Sequence, residues 1–304
     1  MKPFIIVEIG QAHDGSLGLL HSYIDALSET GIDAIKFQTH IAEAESSAQE
    51  PFRVNFSYED KTRFDYWKRM EFTLEQWKEI KSHCDEKGLE FMSSPFSLAA
   101  VDLLEKIGVG KYKIGSGEIT NFLMLEKIAK TGKEIILSSG MSNFEELDKV
   151  FKFLKPFGNK LSVLQCTTQY PTNPENIGLN VISELKQRYG VPVGFSDHSG
   201  KIFASLAAVS LGAEFLEFHA VFDRRQFGPD SQSSLELDEI KTLAEGVSYI
   251  SKSLNSPIDK NNNSQFKDIK RIFEKSLAIN KSKQAGDKIQ IEDLEAKKPS
   301  EQGI

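Results

Sequence analysis

Eight short apolar runs, each followed by a stretch with helical spacing, constrain this chain more than any other feature. They are FIIVEIG (4–10), AIKFQT (34–39), EFMSSPF (90–96), KYKIGS (111–116), EIILSSG (134–140), LSVLQCT (161–167), VPVGFSDH (191–198) and AEFLEFHAV (213–221). Between them, segments such as LGLLHSYIDALSETG and FEELDKVFKFLKPFG carry apolar residues at the helical period. Gly31, Gly88, Gly132 and Gly212 stand where helices stop. Strands that alternate with helices lie parallel, because each return needs a crossover helix. Eight such units over about 250 residues predict an α/β fold, a (β/α)8 TIM barrel, with an open doubly wound sheet as the rival.

Two segments break the repeat. Residues 40–72 form a long polar and aromatic insertion after the second strand, and long loops on a barrel are usually functional. A helix starts after it at Thr73, whose hydroxyl can cap it with Gln76 three residues on. The barrel domain is expected over 1–254, followed by a linker rich in Pro, Asn and Ser over 255–272. The tail 273–304 has short alternating runs and turn residues, so it reads as β-rich. At roughly 30 residues it is too small to hold a core alone and needs something to pack on.

Composition excludes several classes of function. No apolar stretch approaches the ~20 residues of a membrane helix. The N-terminal MKPFIIVEIG carries Glu8 inside a run too short for a signal peptide, so a cytoplasmic location is expected. A net charge of −7 with no basic stripe argues against nucleic acid, but not against a locally basic site for a small anion. Cys84 and Cys166 match no metal or redox spacing.

Barrel active sites lie at the C-terminal ends of the strands. Reading those ends in order gives Glu8 and Gln11, Lys36 and Gln38, Ser93 and Ser94, then Lys113, Ser116 and Glu118. Next come Ser138 and Ser139, Thr167, Thr168 and Tyr170, then Ser196, Asp197 and His198, and finally Glu217 and His219. Lys36 and Gln38 share one side of their strand, as do Glu217 and His219. A buried lysine needs an anionic partner or loses its proton. Two inward lysines among hydroxyls suit a bound phosphate and carboxylate. His198 and His219 end adjacent strands, about 5 Å apart, so they can share one divalent metal; hydrogen bonding within the barrel is the other reading. His21 and His83 fall in helical segments and read as surface residues. Lys111 also reads as a surface lysine. The residues alone imply aldol-like or transfer chemistry on a small phosphorylated anion, helped by a metal.

The motifs VEIGQAHDG, IKFQT, SSPFS, YKIGSGE, LSSGM, CTTQYPT, FSDHS and GPD occur in the order and spacing of the sialic acid synthases, which the chain resembles over essentially its whole length. That family makes N-acetylneuraminate and related nine-carbon acids, the legionaminic and pseudaminic types among them, from phosphoenolpyruvate and an N-acylated hexose. The resemblance implies that Lys36, Ser94, Lys113, Ser116, Ser138, Thr168 and Ser196 hold phosphoenolpyruvate. It implies Gln38, Tyr170, Asp230 and Lys298 at the sugar, and manganese or magnesium on His198 and His219. Glu118 and Glu8 become the acid/base candidates. It also implies a domain-swapped homodimer and makes the tail the start of an antifreeze-like (SAF, β-clip) domain, incomplete at Ile304.

Departures from the family pattern fall on the sugar side. Ala12 precedes His13 where the family has asparagine, and Thr168 stands at another asparagine. Lys298, Pro299 and Ser300 replace an arginine followed by Pro-Gly. The rivals are a synthase of shorter keto acids acting on phosphorylated sugars, and a barrel that binds a sugar acid without turnover. The first would want a second basic cluster, which Arg53, Arg63, Lys68 and Arg69 of the insertion could supply.

Overall fold

All eight runs form strands: β1 (Phe4–Glu8), β2 (Ala34–Thr39), β3 (Glu90–Pro95), β4 (Lys111–Ile114), β5 (Glu134–Ser138), β6 (Leu161–Cys166), β7 (Val193–Asp197) and β8 (Phe215–His219). In the computed structural model, which describes residues 2–54 and 56–302, every neighbouring pair is parallel and β8 returns to pair with β1, so the sheet is a closed (β/α)8 barrel. The open-sheet rival is thereby excluded. Ten helices surround it or cover its mouth: α1 (Leu17–Ser28), α2 (Ala42–Glu45), α3 (Arg63–Met70), α4 (Leu74–Glu86), α5 (Leu98–Ile107), α6 (Phe122–Ala129), α7 (Phe144–Leu154), α8 (Val181–Tyr189), α9 (Phe203–Ser210) and α10 (Leu237–Leu254). The chain divides into two compact units between Asn255 and Ser256.

The predicted start of α4 is present: Thr73 accepts from the Gln76 amide, and the Gln76 side chain accepts from Thr73 N–H. Such a capping box satisfies two donors that a helix start leaves open. Helix α4 ends before Gly88, whose φ of 71° few other residues adopt cheaply.

The two-residue period of a strand divides the side chains between an outer layer, under the helices, and the barrel interior. The outer layer includes Ile5, Val7, Ile35, Phe37, Phe91, Tyr112, Ile135, Leu137, Val163, Phe195, Leu216 and Phe218, all buried. Inside, Ile6, Ala34, Met92, Ile136 and Leu164 form a separate apolar layer with Phe4 and Phe215. Two residues farther along the same strands stand Glu8, Lys36, Ser94, Ser138, Cys166 and Glu217, so the polar layer rests directly on an apolar floor.

Below that floor lies Lys111, which is not a surface lysine. It pairs with Glu90 at 3.2 Å and sits 4.6 Å from the Phe4 ring, because the parity that turns Lys113 inward turns Lys111 inward too. His21 and His83 are also not free surface residues: their Nδ1 atoms meet at 2.8 Å between α1 and α4.

The insertion has its own small core. Ala42, Tyr66, Trp67 and Met70 are buried together, with Phe52, Phe56 and Phe64 packed against them.

The second unit contains helix α11 (Lys267–Phe273), inside the segment read as linker, and an antiparallel pair, β9 (Ser276–Ile279) and β10 (Leu294–Lys297). Many of its large apolar residues are exposed, Ile291 at 79% and Phe273 at 63%. Asp293 is buried between Lys281 and Lys283.

The apolar floor has no spare room at Gly194 of β7. A Cβ there would stand 2.5 Å from Leu164 Cδ2 and 2.6 Å from the Phe215 carbonyl oxygen, and the carbonyl cannot move without breaking the ladder. Gly194→Ala is expected to cost about 1–3 kcal/mol or more, as overpacking does. A urea midpoint equal to that of the unmodified protein would contradict this.

Candidate active site

The mouth of the barrel holds a cavity of about 420 Å³, within the usual range for small-ligand sites. Its floor is a cluster of four charges. Strand register sets Glu8 beside Lys36 and Glu8 beside His219. Lys36 Nζ contacts Glu8 Oε2 and lies 3.9 Å from Glu217 Oε1. Lys113 donates to Glu217 Oε1 at 2.9 Å and to Ser138 Oγ at 2.8 Å. Ser196 Oγ donates to the same Glu217 oxygen at 3.1 Å.

All four charged groups are almost fully buried. Burial pushes the Lys36 ammonium down to about 7, with Lys113 adding to the effect and Glu217 opposing it. Burial would raise the Glu217 carboxyl, but Lys113 and Lys36 outweigh it and hold it down at about 2. Glu8 Oε1 and Glu217 Oε2 are buried without a hydrogen-bond partner among the described residues. Such atoms are costly unless a ligand or water completes them.

Hydroxyls ring this floor. Lys36 donates to Ser94 Oγ at 3.4 Å. Ser116 opens the single turn after β4, and its hydroxyl reaches Cys166 Sγ at 3.8 Å. A Cβ on Gly140 would lie 2.5 Å from both Ser116 Oγ and Thr168 Oγ1, so only glycine lets β5's loop approach both. Glu118 ends that turn and accepts from Asn121 Nδ2 at 2.8 Å. Burial raises its carboxyl above the ordinary range, while the Asn121 hydrogen bond works the other way.

The two predicted histidines meet, with ring centres 5.3 Å apart. His198 Nδ1 donates to the Thr167 carbonyl at 3.0 Å, which leaves Nε2 toward the Tyr170 hydroxyl at 3.2 Å. Burial, then His198 and Lys36, hold His219 well below its ordinary pKa, which favours its neutral imidazole. Burial also opposes a charge on His198, but Cys166 and the Thr167 carbonyl outweigh it and raise its pKa; a bound cation would displace that proton.

This donor set fits a divalent metal in part. It has one imidazole oriented through its second nitrogen, one neutral imidazole and the unpartnered Glu8 Oε1. Glu8 Oε1 and His219 Nδ1 both stand 3.6 Å from where a Gly10 Cβ would be. The described residues form no group of three His, Cys, Asp or Glu side chains around one point, so substrate and water would supply the other positions.

The outer wall comes from loops. Gln38 points up from β2, and its Oε1 is held by Gln11 Nε2 and approached by His40 Nε2 at 3.1 Å. His40 is stacked between Trp67 and Phe96, with ring centres 3.9 and 4.5 Å away, and its Nδ1 meets Glu45 Oε1 at 2.6 Å. Tyr170 stacks on His198 at 4.2 Å, and Asp230 Oδ2 lies 4.0 Å from His219 Nδ1. Lys298 belongs to the second unit, where its ammonium lies 4.8 Å from the Phe273 ring.

Arg53, Arg63, Lys68 and Arg69 of the insertion do not converge. Arg53 pairs with Asp230, and Arg63 with Glu50 at 3.0 Å. Lys68 pairs with Glu71 and Glu43, and Arg69 with Asp60 and Asp14. Ser93, Ser139 and Asp197 turn away from the cavity, as does Thr167, whose hydroxyl donates to the Asn176 carbonyl at 2.6 Å. Ser93 bonds Thr39 and the Phe37 carbonyl, Ser139 bonds the Leu164 carbonyl, and Asp197 accepts from the Ser199 amide and Ser205. Parity separates Ser93, Ser139 and Asp197 from Ser94, Ser138 and Ser196, one residue away.

Sequence reasoning gave Glu217 no role, although its position two residues before His219 puts it inside. Glu45 and Trp67 reach the cavity only through the folded insertion, and Phe96, just past the end of β3, stacks on His40.

The NeuB family model matches residues 23–259. The chain is 36% identical to the N,N'-diacetyllegionaminic acid synthase of Campylobacter jejuni, over 98% of this chain and 91% of that protein. It is 36% identical to the human N-acetylneuraminate-9-phosphate synthase, over 84% of this chain and 72% of that one. Among solved structures it is similar to the N-acetylneuraminic acid synthetase of Leptospira borgpetersenii, crystallised with citrate. That match has a TM-score of 0.77 and 31% identity, over 88% of this chain and 90% of that one. The chain belongs to the NeuB family, the sialic acid synthases.

Proposed function

We propose that the protein condenses phosphoenolpyruvate with an unphosphorylated N-acylated hexose, N-acetylmannosamine or a 2,4-diacetamido sugar, to give a nine-carbon nonulosonic acid and phosphate. The observation that carries this reading is the buried floor of Lys36, Lys113, Glu8 and Glu217 under a ring of hydroxyls. Lys36, Lys113, Ser94, Ser116, Ser138, Thr168 and Ser196 bind the phosphate and carboxylate of the enol ester. Their fixed charges and donors hold its C3 toward the aldehyde carbon and cost little reorganisation during reaction. C3 bonds to that carbon, a water oxygen adds at C2, and phosphate leaves with cleavage of the C2–O bond. Glu118, one turn beyond Ser116, guides the water or moves its proton, with Glu8 the second acid/base candidate.

Gln38, Tyr170 and Asp230, with Lys298, contact the sugar. His198 and His219 would hold Mn²⁺ or Mg²⁺, which when bound supplies Lewis-acid polarisation of an aldehyde oxygen. The second unit is read as the start of an antifreeze-like domain, and its exposed apolar residues suit the domain-swapped homodimer. No helix of the described residues is long and apolar enough to cross a membrane.

The paired state of Arg53, Arg63, Lys68 and Arg69 favours a neutral sugar over a sugar phosphate. Arg53 and Arg63 line the cavity already matched to carboxylates, and Glu118 adds an unmatched one. Phosphate release should therefore be faster with neutral N-acyl hexoses than with their 6-phosphates, by about tenfold or more in kcat/KM. Equal use of both would favour the phosphosugar synthase, and no release with any sugar would favour a binding protein.

Glu118→Gln is expected to lower kcat by about 10²–10⁴-fold while phosphoenolpyruvate still binds. The Asn121 hydrogen bond favours the Glu118 carboxylate, so Asn121→Ala should raise the Glu118 pKa and move the acidic limb of kcat/KM to higher pH. Near-normal turnover in the first variant, or a downward shift in the second, would remove Glu118 from the chemistry. Chelation should stop turnover and Mn²⁺ should restore it; full activity after exhaustive chelation would take the metal away from His198 and His219.

A further inference from the structure

One side chain ties together three loops at the outer end of the cavity. Arg53 lies on the irregular part of the insertion, between α2 and α3. Its guanidinium stands 4.3 Å from the centre of the Tyr170 ring, which belongs to the loop after β6. Its Nη2 donates to Asp230 Oδ1 at 2.5 Å and reaches the Pro229 carbonyl at 3.5 Å, both in the loop after β8. Arg53, Tyr170, Pro229 and Asp230 all line the cavity.

We infer that Arg53 is a positioning residue for the aldose, setting the Asp230 carboxylate against His219 and roofing the Tyr170 ring. This rests on the two-substrate reading above. Arg53 takes Asp230 Oδ1, which leaves Oδ2 as the oxygen 4.0 Å from His219 Nδ1. With that Oδ1 bond lost, the carboxylate would be free to rotate, and Tyr170 would lose the cation over its face.

The arrangement does little for folding. The Arg53 side chain is 38% exposed and Asp230 16%, and pairs that reach solvent contribute little stability. What the pair does fix is direction, because a guanidinium offers a planar fork and stacks on an aromatic face. A lysine would keep the charge without the fork or the stacking. Lys36 and Lys113, which carry the phosphoenolpyruvate end, pair with Glu8, Glu217, Ser94 and Ser138 and take no part in these loop pairings.

The test is steady-state phosphate release by the unmodified protein, Arg53→Ala and Arg53→Lys, varying phosphoenolpyruvate and the neutral N-acyl hexose separately. Thermal midpoints are measured alongside. Arg53→Ala should raise the KM of the hexose about 10- to 100-fold and leave the KM of phosphoenolpyruvate and the midpoint unchanged. Arg53→Lys should recover only part of the loss. In an Asp230→Asn background the same Arg53→Ala change should cost much less, since the two act as one unit. An unchanged hexose KM overturns the inference. So does a parallel rise of both KM values with a lower midpoint, which would make Arg53 a strut. Failure of the two-substrate reading is seen separately: the unmodified protein would then release no phosphate with any hexose, and the inference would fall with it.

Discussion

Four charges buried inside a closed barrel govern everything above them. Taking a carboxylate or an ammonium out of water costs several kcal/mol even after relaxation, and here two of each are removed together. The cost is tolerable only because strand register delivers them as partners. Glu8 faces Lys36 across β1 and β2, and Lys113 reaches Glu217 across the barrel. A single slip of register would turn one member outward and strand its partner. The cluster is therefore weak evidence of stability and strong evidence of function. A set of apolar side chains would fill that space more cheaply, as they do one layer below.

That lower layer explains why the charges act at the mouth and not throughout the barrel. Ile6, Ala34, Met92, Ile136 and Leu164 close the interior beneath them, so water enters only from the mouth. Lys36 and Lys113 each keep a charge partner but are ringed by hydroxyls whose remaining lone pairs and protons have no fixed use. An incoming dianion meets donors already in position, in a medium of low effective dielectric. Glu8 Oε1 and Glu217 Oε2, without a hydrogen-bond partner among the described residues, belong to side chains that line the same cavity.

Much of this was legible in the sequence because strand parity is strict. All eight strands, the interior placement of Lys36, Lys113, Ser94, Ser138, Ser196 and His219, and the Thr73 cap follow from period and local chemistry. Parity also accounts for the errors. Lys111 shares the parity of Lys113 and lies inside the barrel, not on the surface. Ser93, Ser139 and Asp197 stand at the right end of their strands with the wrong parity, and each bonds locally instead. The second unit was legible only as β-rich, since helix α11 occupies part of a stretch whose Pro, Asn and Ser content reads as linker.

The outer half of the site resisted reading for a different reason. Its residues come from segments with no period: the insertion, the loop holding Tyr170 and the loop holding Asp230. Their meeting depends on a small aromatic core around Tyr66 and Trp67, and no local pattern announces which side chains that core will aim inward. His40 illustrates the point. It follows Gln38 by two residues, yet its place is set by Trp67 and Phe96 on either face and by Glu45 at Nδ1. On the reading proposed above, the anion end is built from strand ends, where geometry is dictated by the barrel, and the sugar end from loops, where geometry is dictated by contacts among themselves. Substitutions in the loops can change which sugar fits while the charged floor stays as it is. On that reading the departures at Ala12 and Lys298 fall on the sugar side, and neither alters the four buried charges.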